Sequence, residues 1–332
     1  MEPELSPGIV PDTLPEAPEQ APDLKAQPLV GLEVVRRALD PRSSAADIEE
    51  VVRTDVALSQ RLLRVANSAF YRRGYPIQTV REAVVHLGFQ ELRRVAVTTS
   101  VMDFMTSGFA PGFDRRAFFV HCLATASVAQ ELSEMLGYED PPVAFVGGLL
   151  HDVGKTFFDQ HYAESFGKAL RWAAADSIPL FEAERRVFGK EVHDRFRDHA
   201  AMGQWALRTW GLPEGFVQVA GQHHDEQGEH PDFLVDVVQC ADVLVQNLGL
   251  GASGNGALPE WSARFAALRL SADQLLGAVQ QGVQTAQRMA GVVGETLDVA
   301  GVDAFCSGIG ELVADGPEEL AAEEDDRRVG HG

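Results

Sequence analysis

Apolar residues recur every three to four positions along most of the stretch from about residue 29 to 290, the rhythm of a helix buried on one face. Runs that keep this rhythm cover 89–104, 114–136, 141–150, 162–175, 199–210, 213–223 and 231–248. Thr79 is placed to cap a helix over 80–87, and Gly88 stands where a helix should end. Ser44 with Asp47 three residues on has the form of a capping box, Asp replacing the usual Glu or Gln. Gly137, Gly189 and Gly211-Leu-Pro213 supply stops. No alternation marks a strand and no segment repeats. The pattern predicts an all-α, non-bundle fold.

The punctuation also suggests how the chain divides. Thr106-Ser-Gly-Phe-Ala-Pro-Gly-Phe113 carries the Gly and Pro of a connection, so 29–110 is expected to form a helical N-terminal lobe and 114–248 a second lobe. Residues 251–260 read as a loop, and 261–290 as one or two further helices within a C-terminal extension over 249–310. With 332 residues, 45% of them hydrophobic, the chain can bury one large core or two smaller ones.

Charge changes the picture at both ends. Of the formal −21, residues 1–28 hold −5 (six acids, one lysine) with 7 of the 17 prolines, and residues 311–332 hold −6 (eight acids, two arginines). Both are expected to be solvated, disordered tails. Within 61–94 the balance reverses: Arg61, Arg64, Arg72, Arg73, Arg81, Arg93 and Arg94 stand against Glu82 and Glu91. That local +5 suits a phosphate-bearing ligand or an acidic partner, or else a solvated face paired with the acidic remainder. The overall negative charge argues against duplex DNA, whose binding rests on neutralising phosphates. Cys122, Cys240 and Cys306 lie far apart with no C-x-x-C, as expected for reduced thiols in the cytoplasm. No signal peptide is visible, and no apolar run reaches the roughly 20 residues of a membrane span.

The candidate chemistry lies in Phe145-Val-Gly-Gly-Leu-Leu-His-Asp-Val-Gly-Lys155, an apolar run that ends in His151-Asp152. His nitrogen and Asp oxygen are complementary ligands for Fe, Mn or Zn. His121, His199, His223-His224 and Asp242 also occupy apolar helical stretches, where an ionisable group is costly unless paired or metal-bound. Singly, each histidine reads as a hydrogen-bonded core or surface residue, and the Asp as facing a cap or a salt bridge. Jointly, they read as a site.

The order His121, His151-Asp152, Asp242 resembles the HD superfamily of metal-dependent phosphohydrolases. A closer resemblance, over roughly 29–248, is to the HDOD (HD-related output domain) family of bacterial signalling proteins. It rests on Leu62-Leu-Arg-Val-Ala-Asn-Ser-Ala-Phe-Tyr71, Ile77-Gln-Thr-Val-Arg-Glu-Ala-Val-Val-His-Leu-Gly88, Gly147–Lys155, Glu184-Arg-Arg-Val-Phe-Gly189, and Trp210-Gly-Leu-Pro213 followed by His223-His224. The resemblance implies two packed helical lobes, the second HD-like. It also implies up to two divalent ions, one on His121, His151, Asp152 and Asp242, the other on Asp152, His199, His223 and His224. Lys155 would then contact a phosphate oxygen, or else simply lie on the surface. Whether such a site turns anything over stays open, because HDOD proteins are regulatory output domains without a generally established hydrolase activity. The related HD-GYP phosphodiesterases of cyclic di-GMP continue from their histidine pair into Gly-Tyr-Pro. Here the continuation is Asp225-Glu-Gln-Gly-Glu-His-Pro-Asp232.

Two functions follow from the resemblance. One is a signal-transduction module that binds a partner protein or a nucleotide, its output carried around Asn67, Arg61, Arg64, Arg93 and Arg94. The other is a metal-dependent phosphohydrolase acting on a nucleotide or cyclic dinucleotide, with Asp152 and Lys155 at its centre. The longer spacing between Gly189 and His199 bears on the ligand choice; His199 is favoured over His193 because Ala-Ala-Met-Gly follows it.

Overall fold

The helices start where their first side chains can satisfy their own backbone. Thr79 accepts from the Glu82 amide (3.1 Å) while the Glu82 carboxylate returns to the Thr79 amide (3.2 Å). Asp47 likewise turns back to the Ser44 amide (2.7 Å), and Asp114 accepts from the Ala117 amide (3.0 Å). Gly88 takes the positive φ, 76°, on which one helix closes and the next begins. The computed structural model describes residues 29–302 apart from 41, 73, 192–195, 226–231, 260–267, 269 and 301. Both acidic tails, Arg73, His193 and Cys306 lie outside the described residues.

In chain order the helices are α1 (Leu29–Leu39), α2 (Ala45–Arg53), α3 (Val56–Ala66), α4 (Val80–Leu87), α5 (Phe89–Met105), α6 (Arg115–Met135), α7 (Pro141–Leu150), α8 (Val153–His161), α9 (Ala163–Asp176), α10 (Leu180–Glu191), α11 (His199–Thr209), α12 (Glu214–Gln222), α13 (Phe233–Asn247) and α14 (Ala272–Val293). No strand occurs among the described residues, and the fold is all-α. The apolar rhythm locates most of these within a residue or two. It misses α8, because Val153 to Asp159 are all buried and leave no polar face to set a period. It also misses α10, where a carboxylate, Glu184, occupies a fully buried position.

Helix α6 is the axis of the second half: every residue from Phe118 to Ser133 is buried, and α7, α13 and α14 pack along it. Helices α1 to α5 pack on one another, and α5 carries them against α7 and α8. Two glycines set distances that matter below. A β-carbon on Gly148 would stand 2.6 Å from Ala126 Cα, so only glycine lets α7 lie this close to α6. A β-carbon on Gly154 would stand 2.8 Å from the Gly203 amide nitrogen, where α8 meets α11.

After α13 the chain runs as a strap rather than a helix. Ala252 donates its amide to Ala117 O (3.0 Å), Asn255 accepts from the Leu180 amide (2.9 Å), and Gly256 donates to Ile178 O (3.2 Å). The strap thereby crosses from the start of α6 to the α9–α10 junction.

Candidate metal centre

His151 and Asp152 occupy the joint between α7 and α8, His151 closing one helix and Asp152 opening the next. His121 lies in the second turn of α6, His199 is the first residue of α11, His223 and His224 follow the last turn of α12, and Asp242 is in the middle of α13. Six helices thus deliver seven side chains to one place. All but the half-buried His224 are buried, with side-chain exposures of 0–4%.

Asp152 joins two halves. Its Oδ2 lies 3.3 Å from His151 Nε2 and 3.8 Å from His121 Nε2, and Asp242 Oδ1 completes that half at 3.1 Å from His121 and 3.6 Å from His151. Its Oδ1 lies 3.2 Å from His199 Nε2 and 3.4 Å from His223 Nε2, while His199 and His224 bring their Nε2 atoms to 2.8 Å. These are charge-pairing distances, yet His121 Nε2, His151 Nε2, His223 Nε2, Asp152 Oδ1 and Asp242 Oδ1 are buried without an aligned hydrogen bond. Buried polar atoms without partners are costly. Two ligands held about 2.1 Å from a shared ion stand about 3.0–3.4 Å apart, close to the spacing found here. The donor set, imidazole with carboxylate, fits a divalent transition metal.

The far side of three of the rings is fixed. His151 Nδ1 bonds Gly148 O (2.7 Å), His223 Nδ1 bonds Val219 O (3.1 Å) and Ala220 O (3.0 Å), and His199 Nδ1 bonds Glu184 Oε2 (2.6 Å). Donation from Nδ1 leaves Nε2 as the atom that faces the cluster. Gln246 Nε2 holds Asp242 Oδ2 (2.8 Å), so Oδ1 is the oxygen turned to the histidines.

Without a metal, protons and Lys155 balance the carboxylates. Burial opposes charge on His151, but Asp152 and Asp242 push its pKa up to about 10. Burial likewise opposes charge on His199, and Glu184 and Asp152 lift it to about 9. Burial holds His223 and His224 down, the latter well below its ordinary value with His223 and His199 adding to the effect. Burial would raise Asp152 and Asp242, yet Lys155 and His151 hold the first, and His121 and His151 the second, well below the usual carboxylate range. Lys155 is itself fully buried, donating to Asp152 Oδ2 (2.6 Å) and to Ser253 O of the strap (3.0 Å). This burial excludes the surface position that the sequence left open for Lys155.

The candidate surface residues between 61 and 94 are placed differently. Asn67 bonds Leu63 O (2.9 Å) and Ile77 O (2.7 Å) through Nδ2 and accepts from the Ile77 amide (2.8 Å), pinning the α3–α4 loop to the end of α3. Arg61 bonds Thr99 O (3.1 Å) and pairs with Asp103. Arg93 is buried against Asp140 (3.3 Å) with its guanidinium over Phe89, and Arg94 pairs with Glu91 (3.5 Å). Arg64, Arg72 and Arg81 are exposed and make no ion pair among the described residues. Exposed Phe70, Tyr75 and Val85 belong to the same α3–α4 region.

Sequence reasoning assigned no role to Glu184, Phe181 or Ser253. Glu184 falls at i+4 between Leu180 and Phe188, an apolar spacing that marks it as buried. No such signal exists for Ser253, which acts through its backbone.

Comparison with known proteins bears on the family and the fold. The HDOD domain family matches residues 24–226. The fold is similar to that of an HDOD domain protein of unknown function from Geobacter sulfurreducens: TM-score 0.62, 26% identity, 91% of this chain and 92% of that one covered. A candidate signal transduction protein from Marinobacter aquaeolei VT8 gives 0.64 at 17% identity, covering 85% of this chain and 59% of that one. A candidate phosphohydrolase from Shewanella amazonensis SB2B gives 0.53 at 21%, covering 86% and 89%. The last two are likenesses of fold alone. Among curated proteins the chain is 24% identical over 269 residues to an uncharacterized protein of Treponema pallidum (strain Nichols), covering 79% of this chain. It spans about half of that relative's length, 49%. No helix among the described residues is long and apolar enough to cross a membrane. With the matched segment spanning residues 24–226 of 332 and the fold shared with an HDOD protein along nearly its full length, this chain belongs to the HDOD domain family.

Proposed function

We propose that this chain is a signalling output module whose helical core holds up to two divalent metal ions, Fe, Mn or Zn, in a closed site. The observation that carries this reading is the convergence of unpartnered lone pairs on one bridging carboxylate, in a cluster buried to 0–4% side-chain exposure apart from His224. His121, His151, Asp152 and Asp242 would hold one ion, and Asp152, His199, His223 and His224 the other. Bound there, the metal supplies cross-links between helices and the positive charge that the carboxylates otherwise take from His151, His199 and Lys155. Because ligand histidines must lose their protons, metal uptake competes with the protons on His151 and His199.

Closure favours a module over an enzyme. Among the described residues Lys155 ties the Asp152 carboxylate to the strap, and every candidate ligand except the half-buried His224 is shut off from solvent. Output then belongs to the surface. Exposed Arg64, Arg72 and Arg81, together with Phe70, Tyr75 and Val85, suit an acidic protein partner with apolar anchors. A nucleotide phosphate is the alternative occupant of the same arginines, with the cytoplasm as the compartment for both.

The second reading, a metal-dependent phosphohydrolase, draws on one specific observation: the two Asp152 oxygens face different half-sites, as a bridging ligand does in two-metal phosphoryl chemistry. The experiment that separates the readings is metal analysis of protein purified anaerobically without chelators, with a phosphodiester screen alongside. Metal that is lost in the double variant His151→Ala/Asp152→Ala, without turnover in the wild type, supports the module. Turnover that the double variant abolishes supports the hydrolase. A stably folded wild type that binds no metal refutes both forms of the site.

A further inference from the structure

The two halves of the cluster are supported in different ways. On the first side, His151 is fixed by the carbonyl of its own helix, and on the second His223 is fixed in the same local manner. His199 is not. Its Nδ1 and its own backbone amide both bond Glu184 Oε2, at 2.6 and 2.8 Å, from a helix fifteen residues earlier. Glu184 is fully buried, and its second oxygen has no hydrogen-bond partner among the described residues. A buried carboxylate with one ring as its main partner is expensive unless that ring's other nitrogen carries positive charge.

Neighbours of Glu184 on the same face of α10 act on the same half. Phe181 stacks on the His224 ring with centroids 4.8 Å apart. Arg185 lies over Phe181 and bonds Asp198 Oδ2 (2.6 Å), whose other oxygen caps α11 through the Ala201 amide (2.9 Å) just where His199 begins. Phe188 anchors the helix by stacking on Phe158 at 4.1 Å. Residues 181, 184, 185 and 188 follow the i, i+3, i+4, i+7 spacing of a single helical face.

We infer that Glu184 is the positioning residue of the second half-site, and that α10 sets the affinity of that half independently of the first. This rests on the metal reading above. Glu184 orients His199 so that Nε2 faces Asp152 and His224, and its charge makes the ring a stronger ligand for a cation; outer carboxylates of this kind typically tune metal affinity by about 10–100-fold. Among the described residues no hydrogen bond, ion pair or ring contact joins His121, His151 or Asp242 to α10, so that helix reaches the first half-site only through His199 and Asp152.

Cobalt(II) titration of the full chain tests this, with visible absorption reporting imidazole ligation and elemental analysis reporting stoichiometry. Wild type should take two ions. Glu184→Ala should keep the first at its wild-type affinity and bind the second about 10–100-fold more weakly. Glu184→Gln, which keeps an acceptor for Nδ1 but not the charge, should fall between. His121→Ala should show the converse, losing the first ion and keeping the second. Thermal melting of the metal-free variants identifies one that has simply failed to fold, in which case Glu184→Gln decides. Two ions at unchanged affinity in Glu184→Gln and Glu184→Ala would overturn the proposal. So would an equal loss of both ions in a folded variant, which makes Glu184 a general structural residue. A wild type that takes no ion refutes the underlying metal reading instead.

Discussion

Asp152 and Asp242 are both buried carboxylates among histidines, but their loss should have different consequences. Asp152 contributes an oxygen to each half, whereas Asp242 approaches only His121 and His151. We expect Asp152→Asn to remove both ions and Asp242→Asn only one, as read by metal per chain after equilibrium dialysis; equal losses would mean that Asp152 does not bridge. Lys155 gives a complementary test. In the metal-free protein its ammonium is the fixed cation beside Asp152, so Lys155→Met should cost about 3–5 kcal/mol, the usual effect of stranding one partner of a buried pair. With metal bound, the ion supplies that charge and the cost should shrink. Urea unfolding with chelator and with excess Mn(II) measures both, and an identical loss in the two would refute charge sharing. Asn67 lies away from the cluster and makes three backbone hydrogen bonds. Asn67→Ala should therefore cost about 2 kcal/mol in the same assay and leave metal content unchanged.

Helix α7 is held to α6 by a contact that only glycine permits, and the first half-site depends on it. In Gly148→Ala the new methyl would collide with the Ala126 backbone, so α7 must move outward and take His151 from His121. We expect a loss of about 1–3 kcal/mol from overpacking, with weaker binding of the first ion than of the second. A variant that binds both ions normally would show that the helix pair has slack to spare. The contact was not legible beforehand: Gly147-Gly148 in an apolar run could as well have served flexibility as close approach. Periodicity located α6, α7, α11, α12 and α13 because each keeps a polar edge or a clear stop. It failed for α8, which is buried on every side, and for α10, whose inward face carries Glu184.

The cluster was legible because seven ionisable residues in apolar surroundings are improbable without a common purpose, and because the motifs around them resemble a known family. The outer support was not, since Glu184 reaches His199 and the Ser253 carbonyl reaches Lys155 only through the fold. The count of arginines over 61–94 left pairing with the acidic remainder open but could not say which would pair: Asp103 and Asp140 take Arg61 and Arg93, and among the described residues Arg64, Arg72 and Arg81 remain as the exposed group. These pieces bear on how the fold is stabilised. Candidate ligands lie in α6, α11 and α13 and at the ends of α7 and α12, and Asp152 opens α8, so an ion in each half would tie together elements spread from residue 121 to 242. A ligand that binds only the folded chain stabilises it in proportion to the logarithm of its concentration, by about 2.7 kcal/mol at a hundredfold excess over Kd. For a chain of this length that is a rise of about 4–5 °C in Tm for each ion. We therefore expect Tm to climb steadily with added Mn(II) or Zn(II), to fall on chelation, and to be indifferent to both in His151→Ala/Asp152→Ala. A wild-type Tm that does not respond to metal would mean that protons on His151 and His199, with Lys155, already satisfy the carboxylates, and that the core is complete without an ion.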